Sequence, residues 1–397
     1  ALIESARLLQ RMRQAAAWGI AGLDPAALRL DWTAAVQRAT GIAARLGDEI
    51  ASRLRKHGVE RLHGEATILG PDAVQVDGRP FATRAILIAT GSRFETDRLS
   101  LPPDRVWTPW DLLRQEVLPE ALVVHGQGGN AVELAQLLRL AGREVTLACP
   151  EKRLLPDLDP VLEDALAARL ERDGVKLERE AVLDGWEDGK VRAGARSFPA
   201  DAVVLATRRK GVLPVSRVFL ETQEGFLRTD AALQTSVPGI YAAGDVTGRS
   251  GFAHEASAQG LFVVNHLKGH RAPFDADHRL LCVYAMPEAA QIGATEPELR
   301  SRGAAFKSSF FPLSANGKAL AEGQSGGFIR LLSDPANGRI LGAQILADHA
   351  TDMIAEASAI MQLGGSVYDL ARTAHAHPTV SEVFLEAAGV ANLPSRT

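Results

Sequence analysis

The stretch from His125 to Leu138, "HGQGGNAVELAQLL", decides how the rest of the chain is read. Gly126, Gly128 and Ala131 stand in the spacing G-x-G-x-x-A, directly after the apolar run "ALVVHG" and at the head of a helical pattern reaching about Leu140. Each position has a physical task. Gly126 permits a tight turn, Gly128 lets backbone approach a pyrophosphate, and Ala131 is small enough for close helix–sheet packing; the helix N-terminus favours phosphate charge. The chain then returns in the strand "REVTLAC", so the unit is strand–helix–strand, with parallel strands and a right-handed crossover. The helical stretch "PVLEDALAARLERDG" and the strands "VKLERE" and "DAVVLAT" extend the same sheet. The competing reading is an ordinary tight turn between a strand and a helix.

About 20 residues beyond such a turn, an acidic residue normally meets a ribose 2′-hydroxyl. Here Cys149 stands there, followed by Glu151, Lys152 and Arg153, so both signs of charge are close and NAD against NADP stays open. Cys149 also reads simply as a small apolar strand residue.

Outward from this unit, residues 1–18 and Thr33–Lys56 carry helical spacing, the second with Val36, Ile42, Leu46, Ile50 and Leu54 near one face. The segments "EATIL", "AVQVD" ending at an Asp-Gly turn, and "AILIATGS" read as short strands. Pro102, Pro103, Pro109 and Pro119 read as a linker. "GIYAAGDVTG" is a strand running into a Gly-Asp turn, with an amphipathic helix after it to about Leu267. Its Asp either accepts hydrogen bonds from sugar or ribityl hydroxyls or caps the next turn. "AFKSSFFPL", "GFIRLLSD" and "RILGAQILA" alternate with Gly/Asn turns, which predicts an antiparallel sheet, and two helices close the chain.

Within those last helices, "HAHPTVSEVF" puts His377 before Pro378 and Glu382 in a first helical turn. Two readings compete. Thr379-x-x-Glu382 fits a capping box, in which Glu382 satisfies backbone N–H groups. Alternatively Glu382 orients His377 and raises its basicity, so that the imidazole shuttles a proton for a nucleophile. His254 and His375 read as structural or exposed.

The whole has 397 residues, 46% hydrophobic and 23% charged, with a net charge of −4, enough for two or three soluble domains. Nothing in it predicts a nucleic-acid partner, a membrane span, a signal peptide or a metal site. Cys149 and Cys282 are the only cysteines, which excludes a disulfide scaffold and fits a reducing cytoplasm.

In order along the chain, "ALIESARLL", "AILIATGS", "GQGGNAVELA", "RLLPDLDP", "VPGIYAAGDV", "FAHEASAQG", "PEAAQIGATEPEL", "RILGAQIL" and "HAHPTVSEVFLEAA" resemble the pyridine nucleotide–disulfide oxidoreductases, most of all the members that oxidise dihydrolipoamide. The resemblance implies an α/β fold with two Rossmann-like dinucleotide domains: an FAD domain interrupted by an NAD domain, then a C-terminal α+β dimerisation domain. The expected segments are 1–113 (FAD, first part, truncated), 114–229 (NAD(P)), 230–272 (FAD, return segment) and 273–397 (interface). By resemblance Ala66, Thr90, Gly91, Ser92, Gly244, Asp245, Gly251, Phe252, Ala253 and His254 serve FAD. Gly126, Gly128, Gly129, Ala131, Glu133, Cys149 and Thr207 serve NAD. His377 with Glu382 is the acid–base pair, offered across a homodimer, and a lipoyl-bearing protein of a 2-oxo-acid dehydrogenase complex is the further partner.

There are departures. Members of this family begin with a strand–helix–strand unit carrying its own glycine fingerprint, then a redox-active Cys-x-x-x-x-Cys that runs into a sequence like "SKALIESA"; this chain starts at "ALIESA". The family's "GRRPN" is Thr207-Arg208-Arg209-Lys210-Gly211, and the Glu expected on the second strand is Cys149. Two other readings therefore stand beside the flavoenzyme: a non-catalytic relative that binds or dimerises, and a reductase of another disulfide using NADPH.

Overall fold

The computed structural model describes residues 1–96, 100–206, 209–249, 251–270, 279–324 and 326–392. The chain folds as two compact units, Ala1–Gln37 with Leu99–Thr207 and Asp277–Thr397, and Arg38–Arg98 with Arg208–Ala276. The change-over points at 98/99 and 207/208 fall inside the expected 1–113 and 114–229 segments.

In the first unit, five parallel strands lie in the order Val106–Trp107, Ala202–Ala206, Ala121–Gly126, Glu144–Ala148, Lys176–Glu178. Ala202–Ala206 is buried at every residue, as expected of a parallel strand covered on both faces. The helices Gly129–Leu140 and Pro160–Arg172 supply the crossovers. The edge strand Val106–Trp107 comes from the proline-rich stretch expected to be only a linker. Its prolines lie outside the paired residues, and Thr108 with Asp111 closes a capping box on the short helix Pro109–Leu112.

A three-stranded meander, Gly185–Glu187, Lys190–Ala193 and Arg196–Pro199, was not legible as strands in the sequence. Its pieces are three or four residues long, and Asp188 and Gly189 take positive φ (48° and 69°) in the turn between the first two. Val191, Ala193 and Phe198 pack with Val123, Val203 and Leu205.

The same unit ends in a five-stranded antiparallel sheet, Leu280–Val283, Glu288–Gly293, Ile340–Ala347, Phe328–Ser333 and Lys307–Pro312 in spatial order. Ala350–Gln362 and Val383–Asn392 pack on it through Ile354, Phe384 and Ala387. Among the described residues three helices, not two, follow the sheet. Gly364 (φ +70°) breaks the pattern, and Ser366 caps the additional helix Val367–Arg372. The N-terminal helix Leu2–Arg13 ends sooner than expected, in a 3-10 turn over Ala15–Trp18.

The second unit has a smaller core, built on Ile68, Ile88, Leu227, Ile240, Ala242 and Val246. A four-stranded sheet holds Ala66–Gly70, and its Asp77–Gly78 hairpin turn has φ of 45° and 83°. Parallel pairing among its described residues is limited to two short pairs, Ile86–Ile88 with Ile240–Ala242 and Ala66–Gly70 with Val215–Ser216. Two parallel strands cannot bury their own faces, and Leu87 is 40% exposed. Leu261 and Val264 of the helix Ala253–Leu267 are exposed too, as are Leu46 and Ile50 of the predicted stripe on Trp32–Lys56. Among the described residues, no helix is long and apolar enough to cross a membrane.

Candidate functional site

Gly126 ends its strand, and Gly128, at φ +84°, is the N-cap of the helix Gly129–Leu140. A Cβ at Gly128 would meet no protein atom within 4 Å, so the glycine keeps backbone N–H groups open above the turn. Gly128 N donates to Leu154 O (2.8 Å), and Ala131 is fully buried against the sheet. His125, unremarked as a candidate in the sequence, is buried here. Its Nδ1 donates to Ala148 O (3.0 Å), and burial pushes the ring below its ordinary pKa against the effect of that bond.

Glu133 lies on the second turn of the same helix and accepts a hydrogen bond from Tyr284 N at 2.9 Å. Its Oε1 is 3.5 Å from where a Cβ on Gly129 would stand, as is a methyl of Val283, so Gly129 gives room to an enclosed carboxyl end. That enclosure, with Glu288 adding repulsion against the Tyr284 bond, raises the Glu133 pKa to about 7.

At the end of the neighbouring strand Cys149 is fully buried, its Sγ donating to Glu151 O at 3.2 Å. Of the charges after it, Arg153 is consumed locally: Nε pairs with Glu163 at 2.8 Å, and the other nitrogens donate to the carbonyls of Leu155, Pro156 and Leu158. Burial of Glu163 opposes its ionisation, but Leu154 N–H, Arg179 and Arg153 outweigh it and hold the carboxyl below its usual range. Thr207 lies outside the described residues.

Cys282 is buried in the C-terminal sheet, and burial raises the pKa of both thiols, that of Cys282 to about 11. Thiolate is the reactive species. Both cysteines are therefore expected to resist iodoacetamide at pH 8 in the folded chain and to take up two equivalents in denaturant; rapid native labelling of Cys149 would contradict this.

In the second unit, Thr90–Ser92 and Gly244–Asp245 follow the carboxyl ends of the paired parallel strands, where ligands of open α/β sheets bind. Ser92 Oγ donates to Asp245 Oδ2 (2.8 Å), and Arg209 reaches the same oxygen at 3.1 Å while lying 5.2 Å over the Phe94 ring. Arg209 and Phe94 were not singled out from sequence; the antiparallel pairing of Ser92–Phe94 with Arg209–Gly211 brings them there. Thr90 Oγ1 donates to Val212 O.

Gly244 (φ +75°) faces Ala256, 3.1 Å from the position of an added Cβ, and its N–H donates to the fully buried Gln259 at 2.7 Å. Gln259 Nε2 is buried without a partner. Gly251 and Ala253 lead into the helix with Phe252 as its N-cap, and the rings of Phe252 and His254 stack at 5.2 Å. Ala66 opens a strand of the other sheet, paired with Val76, and makes none of the bonds joining Ser92, Arg209 and Asp245.

His377 Nδ1 lies 2.9 Å from Glu382 Oε1, and Glu382 Oε2 accepts Thr379 N at 2.8 Å. One carboxylate thus bonds both the cap N–H and the imidazole. The Thr379 N–H, then His377, hold the Glu382 carboxyl below its ordinary range. An ionised carboxylate only accepts, so Nδ1 carries the hydrogen and the Nε2 lone pair is the ring's basic site. The His377 side chain is 83% exposed, and Nε2 has no partner among the described residues. His375, two residues earlier, contrasts with it. Its side chain is only 6% exposed and both ring nitrogens are engaged, by Thr373 O and Glu356, which makes it structural.

A glycine-turned parallel sheet, a second strand-end cluster and an antiparallel C-terminal sheet define a dinucleotide-binding oxidoreductase architecture. The chain belongs to the family described as pyridine nucleotide-disulphide oxidoreductase, whose pattern matches residues 6–260, with the family's dimerisation domain matching 281–388. Members bind FAD and pyridine nucleotide.

Among relatives, the dihydrolipoyl dehydrogenase of Chlorobaculum tepidum is 32% identical over 411 residues, covering 98% of this chain and 86% of that protein. The dihydrolipoyl dehydrogenase of Thermus scotoductus is 33% identical over 365 residues, covering 88% and 78%. The crystal structure of LpdA from Mycobacterium tuberculosis superposes with a TM-score of 0.89 at 23% identity, covering 98% of this chain and 88% of that one. The flavoprotein disulfide reductase RclA of Escherichia coli superposes at 0.83 with 22% identity, covering 98% and 89%. These last two likenesses support the fold.

Proposed function

We propose that the chain serves a homodimeric flavoenzyme that oxidises a protein-bound dihydrolipoyl dithiol to its disulfide and reduces NAD+. The carrying observation is the exposed His377 ring, its Nδ1–H fixed by Glu382 and its Nε2 without a partner among the described residues. His377 Nε2 takes the proton from the substrate thiol, and the thiolate so formed is the competent nucleophile in disulfide exchange. Glu382 keeps the ring oriented and stabilises the imidazolium during transfer.

The cysteine couple that exchanges with the substrate is neither Cys149 nor Cys282, since Cys149 is buried just past one strand and Cys282 within another. FAD, when bound, relays the electron pair from thiols to nicotinamide. The chain's own features suit it: an orphaned Gln259 amide, a half-buried Asp245 whose Oδ1 has no partner among the described residues, and room at Gly91 and Gly251. Gly126, Gly128, Gly129 and Ala131 hold the NAD pyrophosphate. NAD is favoured over NADP because Arg153 is already spent on Glu163. The C-terminal sheet forms the dimer, each His377 serving the other subunit's site, and the setting is the cytoplasm.

The test is dihydrolipoamide-dependent NAD+ reduction by the protein isolated from its natural source with FAD bound. Faster turnover of glutathione disulfide with NADPH would overturn the assignment. NADH is expected to be preferred over NADPH by at least about tenfold in kcat/KM, because the Arg153 guanidinium is already engaged by Glu163.

The 397-residue chain by itself is expected to lose FAD. Among the described residues of its flavin unit, parallel pairing is confined to two short pairs with Leu87 uncovered, and no glycine-turned helix N-terminus is available for the pyrophosphate. Flavin absorbance comigrating with this chain through gel filtration would refute that.

A further inference from the structure

Four arginines converge on one cleft of about 490 Å³ in the first unit. Arg13 comes from the last turn of the N-terminal helix, Arg29 from the loop after it, Arg139 from the last turn of Gly129–Leu140, and Arg143 from just beyond. Arg13 Nη2 and Arg29 Nη1 share the carbonyl of Leu28, at 3.0 and 3.1 Å, so their guanidiniums lie side by side. Arg139 donates Nε to Asp173 O (3.0 Å) and Nη1 to Arg143 O (3.2 Å). Arg143 Nε is shielded from water and has no hydrogen-bond partner.

The one carboxylate of the lining is already neutralised. Asp173 is held through both oxygens by Arg169 Nε, at 2.9 and 3.0 Å, and by Gln136 at 2.8 Å. Among the described residues none of the four arginines has a carboxylate of its own.

A plain structural role does not account for this charge. Three helices end here, Leu2–Arg13, Gly129–Leu140 and Pro160–Arg172, and arginine at a helix C-terminus is favourable. Each such end carries roughly half a negative charge, so three offset less than half of four guanidiniums. The carbonyl bonds named above engage only a minority of the five donors each guanidinium presents. What remains is a concave, strongly positive cleft whose donors have the forked geometry that matches phosphate oxygens.

We propose that this cleft binds a compact polyanion bearing adjacent phosphate groups. It is a different place from the nucleotide turn. Gly128 heads the 12-residue helix Gly129–Leu140 and Arg139–Arg143 lie at its tail, about 18 Å away at 1.5 Å per residue.

The experiment is calorimetric titration of the full chain with inorganic pyrophosphate, in chloride buffers of matched ionic strength. Saturable binding is expected, weakened about tenfold or more by Arg29→Ser and by Arg143→Gln, the scale of one lost charge-assisted bond, and unchanged by Arg172→Ser outside the cleft. Arg29 sits on an exposed loop, so its variant tests the site even if Arg143→Gln fails to fold. Absence of binding overturns the proposal. So does binding that both cleft variants leave intact, as a pyrophosphate held at the Gly128 turn would show.

Discussion

Replacing His377 with Gln in the FAD-loaded enzyme is expected to slow dithiol oxidation about 100-fold or more, the scale of losing a general base. That corresponds to about 2.7 kcal/mol of transition-state stabilisation. Gln keeps a hydrogen-bonding group beside Glu382 but has no basic nitrogen, so the loss should sit in kcat and shrink when pH is raised to pre-ionise the thiol. Glu382→Gln should fall between wild type and His377→Gln, because an amide still bonds Nδ1–H yet no longer stabilises an imidazolium. Glu382→Ala should also lose the Thr379 N–H cap, at about 1 kcal/mol of stability, whereas His375→Gln should alter stability rather than turnover. Unchanged turnover in His377→Gln would reduce the pair to a helix cap and remove the main support for the proposed chemistry.

Glu133→Gln is expected to make the protein more stable above neutral pH. The Glu133 carboxyl titrates at about 7 in the folded chain against an ordinary value of 4.5. Between those values the folded chain holds a proton that the unfolded chain has released. Unfolding free energy therefore falls as pH rises from about 4.5 to about 7 and levels off above it. The amide keeps the acceptor for Tyr284 N without the charge, and should recover about 1–3 kcal/mol at pH 8, discounted for partial solvent access. Urea midpoints against pH provide the measurement. Parallel curves for the two proteins from pH 4.5 to 8 would mean that Glu133 ionises normally. Near pH 7 the expected picture is a partly protonated carboxyl beside the nucleotide turn, so NAD+ affinity should also shift across this window.

Local pattern and tertiary context divided these two residues differently. The strand–turn–helix around Gly128 was legible because backbone φ and side-chain volume are decided within a few residues. The nearness of His377 and Glu382 was legible for the same reason, as five residues of chain leave them few ways apart. Sequence still set cap against catalytic pair as rivals, and only the fold showed the two oxygens of one carboxylate bonded to the Thr379 N–H and to the His377 ring. The strand Val106–Trp107 escaped notice because prolines dominate its surroundings, and its pairing partner is nearly 100 residues away.

What the sequence by itself determined is the strand–helix–strand unit, the glycine turn and the family, since periodicity, turn chemistry and motif spacing are properties of short stretches. Tertiary structure alone decided the chemical state of the groups they carry. Glu133 owes its raised pKa to an enclosure that includes Tyr284, 151 residues later, and Asp245 meets Ser92 across 153 residues. The four arginines become a cleft only where three helices end together. Burial and Coulomb energy depend on distance in space, and a chain's local pattern carries no record of that distance until packing sets it.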